Sequence, residues 1–158
     1  MNKDISEYMI EAIKLSINNV VEGKGGPFGA VVVKDVIIIA RGVNRVTATN
    51  DPTAHAEVIA IREACTILNT FQLSGCEIYT SCEPCPMCLG AIYWARPDKL
   101  FYANSKQDAA SINFDDQFIY DEIGKPLNQR KLFTQQILRE EALIAFTKWK
   151  ESSNKIEY

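Results

Sequence analysis

The stretch Ile78-Tyr79-Thr80-Ser81-Cys82-Glu83-Pro84-Cys85-Pro86-Met87-Cys88-Leu89-Gly90 limits what this chain can fold into more than any other. It reads as a strand, a tight turn and the start of a helix. Cys85 precedes a proline, which drives its backbone out of the helical region, while Pro86 suits the first helical position, where a missing N–H is no loss. Cys85 is therefore expected at the helix cap and Cys88 one turn in, with both sulfurs on one side. The unpaired N–H groups of that turn favour thiolate over thiol. A cysteine pair so placed is either a redox couple of the thioredoxin kind or half of a site for a soft cation.

Asn50-Asp51-Pro52-Thr53-Ala54-His55-Ala56-Glu57 favours the cation. Asp51 is expected to cap a second helix with Pro52 as its first residue, backed by a buried stripe of Val58, Ile59, Ile61, Ala64, Cys65 and Leu68. This helix start carries the only histidine of the chain. Residues two apart on a helix do not face one another, so His55 and Glu57 are expected to serve separate tasks, His55 as ligand and Glu57 as base. A closed structural site is the rival, since Cys82 would complete a Cys3His tetrahedron. Against it, Cys82 lies before the cap, across Glu83-Pro84 from Cys85, and a structural ion has no need of a carboxylate two residues from its histidine. With His55, Cys85 and Cys88 alone, the fourth position stays open for water, whose pKa a zinc ion lowers from about 15.7 towards about 7. Glu57 is then placed for general acid–base work, typically worth roughly 10²–10⁴-fold. Asp51 and Glu83 read as carboxylates favourable to helix dipoles, not as catalytic groups.

His55-Ala56-Glu57 followed downstream by Pro84-Cys85-Pro86-Met87-Cys88 resembles the signature of the zinc-dependent nucleobase deaminases. The resemblance extends to Gly25-Gly26-Pro27-Phe28-Gly29-Ala30-Val31-Val32-Val33-Lys34-Asp35, to Asn50–Glu57, to Thr80–Arg96 and to Phe114-Asp115-Asp116-Gln117-Phe118-Ile119-Tyr120. On these residues the chain resembles the cytidine/deoxycytidylate deaminase-like superfamily, and within it the bacterial guanine deaminases. One departure is Val36, where many relatives carry glycine after the Lys-Asp pair of a hairpin turn. It touches the turn type, not the chemistry.

The resemblance implies a single deaminase domain over residues 1–158, built as a three-layer α/β/α sandwich around a mixed five-stranded sheet. It implies one Zn2+ per chain and hydrolytic deamination of a free purine base, guanine giving xanthine and ammonia. Asn44 and Asp116 would hold the base, Asp116 also serving proton transfer, and Phe28 would stack on it. Ala56, Trp94 and Tyr158 complete the implied substrate contacts. A homodimer is implied too, exchanging C-terminal segments from about residue 133 onward, so that Tyr158 of one chain closes the pocket of the other. On the residues alone, Asn44 reads also as a turn residue and Asp116 as a solvated helix-start carboxylate. Tyr93 and Trp94 read also as core packing, with Trp94 the candidate pocket wall, and Tyr158 as a frayed end. Guanosine and tRNA adenosine stay open as substrates. A zinc-stabilised binding module without turnover is the reading of another class, and to such a module Glu57 would be superfluous.

A chain of 158 residues suits one domain that buries roughly 70% of its unfolded surface, without need of disulfide staples. The five cysteines are odd in number and follow no secretory pattern, which points to a reducing compartment, the cytoplasm. Cys65 and Cys76 read as small core residues. A net charge of −3 and a pI of 5.2 give no electrostatic reason to approach polyanions, so nucleic acid is disfavoured as a partner. Apolar runs such as Val36–Ala40 fall far short of the ~18 residues of a membrane helix.

Ahead of the metal segments, Asp4-Ile5-Ser6-Glu7 resembles a capping box, and Ile5, Met9, Ala12, Ile13, Ile17 and Val20 repeat at the spacing of a core helix until Gly23. The glycines after it miss G-x-G-x-x-G and precede a strand, so they read as a backbone loop lining the pocket. Phe28–Val33 and Val36–Val43 are expected to form a hairpin across Lys34-Asp35. Cys76–Thr80 is strand three, the Cys85 helix runs to about Ala95, and Leu100–Ala103 is strand four. A strand, a helix and a strand in that order predict a right-handed crossover with strands three and four parallel. Later signals are weaker: a short helix over Asp115–Ile123, a segment Phe133–Leu138 open between strand and helix, and an amphipathic helix over Glu141–Trp149.

Overall fold

The fold is that of a computed structural model, which describes residues 5–158. Its sheet starts from two β-branched runs joined by a two-residue turn. β1 (Gly29–Lys34) and β2 (Ile37–Val43) pair antiparallel across Asp35-Val36, with Lys34 opposite Ile37 and a register shift at Val32/Val33. On its other side β1 pairs antiparallel with β3 (Cys76–Cys82), and β4 (Lys99–Asn104) lies parallel to β3. The order is β2-β1-β3-β4. The parallel pair is the predicted one, and it needs a crossover, here the helix Pro86–Ala95 between the two strands.

Alternate residues of β1 separate the two sheet faces. Ala30 and Val32, with Ala40 and Ile78, pack against Ala56, Ala60 and Ala64 of a helix over Ala56–Leu68 and against Ile92 and Ala95 of the crossover helix. Val31, Val33 and Tyr79 face the other way, onto Tyr8 of α1 (Ile5–Val21). Three layers result, as expected. The alanines let backbone approach backbone: a Cβ on Gly42 of β2 would sit 2.0 Å from the Ala56 carbonyl oxygen. Glycine is obligatory there, and the contact presses the end of β2 onto the start of the Ala56–Leu68 helix.

Several expectations need correction. The sheet has four strands among the described residues, not five. The segment Phe133–Leu138, open between strand and helix, is neither: it is irregular and exposed and ends with Leu138 in the left-handed region, and a strand exists only where a neighbour takes its N–H and C=O groups. The His55 helix starts at Ala56 instead of Pro52. Asp51 Oδ1 accepts from the Thr53 N–H at 2.8 Å and from its hydroxyl at 2.7 Å, closing a turn where a cap was expected. Before that turn lies the unpredicted α2 (Val46–Thr49), ended by Asn50 in the left-handed region; the Ala56 helix is therefore α3 and the Pro86 helix α4.

In α1 the buried face is Tyr8, Ala12, Ser16 and Asn19, whereas Ile5, Ile17 and Val20 of the expected core stripe are 54%, 55% and 51% exposed. Polar anchors at both ends set this rotation: the Tyr8 hydroxyl donates to the Val36 carbonyl at 3.0 Å, and Asn19 donates to the Asn44 carbonyl at 2.9 Å. The cap expected at Asp4 lies outside the described residues. α5 (Lys106–Ser111), not predicted, begins with a reciprocal capping box between Ser105 and Asp108.

The chain divides into two units, the first ending at Asp116 and the second running Gln117–Tyr158. The second contains α6 (Gln117–Ile123) and α7 (Arg139–Glu151), close to the expected helices. Its turn is tied by Glu122, whose carboxylate accepts from Lys125 Nζ at 2.6 Å and from the Lys131 N–H at 2.6 Å. No residue of α7 is buried.

The hairpin turn accounts for the departure at Val36. Asp35 and Val36 have φ of 49° and 59°, the mirror-type turn that matches strand twist and that favours glycine at its second position. A β-branched residue is strained there. Val36 is 56% exposed and so has little packing to lose. Val36→Gly is expected to stabilise the fold by about 1 kcal/mol, read as a rise of about 3 °C in a thermal melt; a lower melting temperature would contradict the strain.

Candidate functional site

A residue at a helix N-cap usually turns its side chain onto the first free N–H groups of its own helix. His55 caps α3 and Cys85 caps α4 with extended backbone, and neither side chain does this. They meet each other instead. Cys85 Sγ lies 3.6 Å and Cys88 Sγ 3.4 Å from His55 Nδ1, and the three donor atoms are within 4.8 Å of one another. A tetrahedral ion with bonds of about 2.0 Å to nitrogen and about 2.3 Å to sulfur would separate N from S by roughly 3.5 Å, so this cluster fits zinc as it stands. Pro86 occupies the first helical turn behind Cys85, as the sequence predicted.

Charge is divided within the cluster. The hydrogen bond from Cys88, then that to His55, hold the Cys85 thiol down at about 4, against the opposing effect of burial. Cys88, the donor in that bond, is pushed far up, and the bond to Cys85 raises His55. The Glu57 carboxyl, 6% exposed on the first turn of α3, is raised chiefly by burial. Its Oε2 lies 3.5 Å from Cys88 Sγ. An acidic group buried beside three metal donors, yet outside their set, is suited to proton transfer.

Cys82 ends β3 and donates to the Ser105 carbonyl at 3.7 Å, with burial pushing its thiol up to about 11. It stays outside the donor cluster. Cys76 is buried in the core, and Cys65, on α3, is partly buried against it. Glu83 accepts from the Lys106 N–H at 3.1 Å, a structural contact.

A second group of side chains is held against the His55 segment. The Asn44 N–H donates to the Phe28 carbonyl at 3.1 Å and the Arg45 N–H to the Ala54 carbonyl at 2.9 Å, so Phe28 and Asn44 are fastened to the turn that delivers His55. Ala56 is fully buried at the start of α3. The Phe28 ring meets Phe114 edge to face at 5.0 Å. Two residues on, Asp116 is partly buried, and its carboxyl is raised first by burial and then by the negative charge of Cys85. Trp94 on α4 and Tyr158 in the second unit are 64% and 68% exposed, so neither is buried within the single chain. Sequence reasoning passed over Asn19, whose amide bonds the Asn44 carbonyl. The signal was a polar residue on the helical spacing of Tyr8, Ala12 and Ser16.

The family model for the cytidine and deoxycytidylate deaminase zinc-binding region matches residues 2–104. The chain is 56% identical to a guanine deaminase of Bacillus subtilis (strain 168) over 151 residues, covering 96% of this chain and 97% of that protein. It is 41% identical over 97 residues to a tRNA-specific adenosine deaminase of Aquifex aeolicus (strain VF5), covering 61% of this chain and 64% of the relative. The X-ray structure of guanine deaminase from Bacillus subtilis superposes with a TM-score of 0.96 at 54% identity, covering 99% of each chain. Guanine deaminase from Nitrosomonas europaea superposes with a TM-score of 0.68 at 35% identity, over 72% of this chain and 65% of that one.

The position of Cys82 yields a test of the donor set. Cys82→Ser is expected to keep its zinc, and Cys85→Ser to lose it, by metal analysis of the purified proteins. Equal metal loss in both would mean a closed Cys3His site.

Proposed function

Because this chain belongs to the cytidine and deoxycytidylate deaminase family of zinc-binding proteins, we propose that it hydrolyses guanine to xanthine and ammonia. Glu57 is the observation that carries the reaction class. A structural ion has no use for a carboxylate buried 3.5 Å from one of its thiol ligands, whereas hydrolysis needs a proton carrier there. Guanine is favoured over tRNA adenosine because the tRNA-specific adenosine deaminase matches 61% of the chain, while the guanine deaminase matches 96% of it. The acidic net charge agrees with a small substrate.

His55, Cys85 and Cys88 would hold Zn2+, which when bound supplies Lewis acidity that makes a water nucleophilic at neutral pH. Glu57 carries one proton of the attacking water to the purine ring and then the second, from the hydroxyl now on C2, to the departing amine. A C2–O bond forms, the C2–N bond breaks, and ammonia leaves. Asn44 and Asp116 hold the base, Phe28 stacks on it with Phe114 at its edge, and Ala56 lies at its closed side. Trp94 and Tyr158 join the pocket in the assembled protein.

Three exposed features support an assembly in which C-terminal segments are exchanged between two copies. β4 has one partner strand among the described residues, so one of its edges is open. Phe133 and Ile137 of the irregular segment are 85% and 70% exposed, and Phe146 of α7 is 74% exposed. Apolar surface on that scale is covered in a working protein. The described helices include none long and apolar enough to cross a membrane. All five cysteines are free, in keeping with a cytoplasmic protein.

Ammonia release measured side by side from guanine, guanosine, adenine, cytosine and tRNA is expected to be fastest by far with guanine; preference for any of the others would overturn the substrate. Glu57→Gln is expected to retain zinc and fold but to lose at least roughly 10²-fold in turnover, since an amide orients water without carrying its proton. Exchange of tails is tested by complementation. A full-length Glu57→Ala chain has a dead core and a sound tail, and a chain lacking Ile156–Tyr158 has the reverse. Refolded together, they should form mixed dimers that recover activity; proven mixed dimers without recovery would mean each tail serves its own core.

A further inference from the structure

Asn19 is 3% exposed on the inner face of α1, where a polar side chain needs partners. Its Nδ2 donates to the Gly26 carbonyl at 2.8 Å and to the Asn44 carbonyl at 2.9 Å. Both neighbours are acceptors, so only the two amide hydrogens can face them. This fixes the amide's orientation and leaves Oδ1 buried with no hydrogen-bonding partner among the described residues. Stability alone does not favour an unmatched buried acceptor. The two donated bonds are what the residue contributes.

Those bonds join two parts of the substrate side. A Cβ on Gly25 would lie 2.3 Å from the Asn44 carbonyl oxygen and 3.0 Å from Asn19 Nδ2, so only glycine permits the loop to close this far. With the loop closed, the Gly26 N–H reaches Asn44 Oδ1 at 3.3 Å. That contact takes up the oxygen of the Asn44 amide and leaves its Nδ2 as the group available to a ligand. On the other side of Gly26, where a Cβ would stand, the Phe28 and Phe114 rings lie 3.3 and 3.4 Å away.

We propose that Asn19 is a positioning residue for purine binding, clamping the Gly25-Gly26 loop onto Asn44 so that the Asn44 amide presents its N–H groups to the base beside Phe28 and Phe114. The proposal rests on the purine reading above. Asn19 touches no substrate and acts through Asn44. An interaction with the base that is equal in ground and transition states governs KM and leaves kcat alone. Loss of the clamp is therefore felt in KM.

The test is a double-mutant cycle on the zinc-loaded, full-length protein with guanine as substrate, comparing the parent, Asn19→Leu, Asn44→Ala and the double variant. Asn19→Leu should keep its zinc and a cooperative melt, raise KM about tenfold and change kcat by less than about threefold. Added to Asn44→Ala, it should cost no more than about a further twofold, because the clamp has nothing left to orient. Binding of guanine to the Glu57→Gln background, measured calorimetrically, should weaken by the same factor when Asn19→Leu is added. An unchanged KM, or effects of the two single variants that multiply in the double, would assign Asn19 to structure and overturn the proposal. If Asn19→Leu does not fold, Gly25→Ala enters the same cycle, since its Cβ pushes the Asn44 carbonyl away while every residue of α1 is kept, and the same outcomes decide. A parent chain that releases no ammonia from guanine would sink the purine reading and this proposal together, whereas an active parent with an unaffected cycle would sink this proposal alone.

Discussion

Helices α3 and α4 each begin on a residue whose side chain leaves its own backbone uncapped, and much of the molecule serves to bring those two starts together. His55 Nδ1 and the Cys88 sulfur are 3.4 Å apart although their residues come from separate crossovers. For that to happen, β3 must deliver α4 and β2 must deliver α3 to the same end of the sheet. Alanines on α3 and Gly42 on β2 allow the backbones to touch, which fixes the height of α3 over the sheet to within the reach of a metal–ligand bond. Packing here is subordinate to position. At the start of α4 the Cys88 N–H adds to the groups that lower the Cys85 thiol, which favours its charged form.

What could be read before folding was what local chemistry decides. Cys85 before Pro86 settles a cap, a first turn and the side on which two sulfurs lie, because proline restricts its own backbone and its neighbour's. The parallel β3–β4 pair followed from element order. Misreadings arose where two local solutions compete. Asp51-Pro52 has the composition of a helix start, but the Asp51 carboxylate closes a turn on Thr53, and the helix waits until Ala56. The isoleucines of α1 suggested its inner face, yet Tyr8 and Asn19 make the bonds that orient it, so hydrophobic periodicity pointed off the true face. Phe133–Leu138 could not be settled, since whether such a segment becomes a strand depends on a partner that sequence does not name.

The two units carry different kinds of information. Up to Asp116 the chain holds the sheet, the metal donors, Glu57 and the aromatic pair of Phe28 and Phe114. Beyond it come α6 and α7, helices with no buried residue, and apolar side chains that face outward. The metal chemistry belongs wholly to the first unit.

That division has a bearing on how the protein is made. A ribosome adds roughly 5–20 residues per second, so the segment from Gln117 to Tyr158 emerges roughly 2–8 s after the last residue of the first unit. Within that interval a nascent sheet, with all its metal ligands already synthesised, has time to form around an ion while its tail is still missing. The metal ligands and the sheet that positions them therefore precede the whole of the second unit in the order of synthesis.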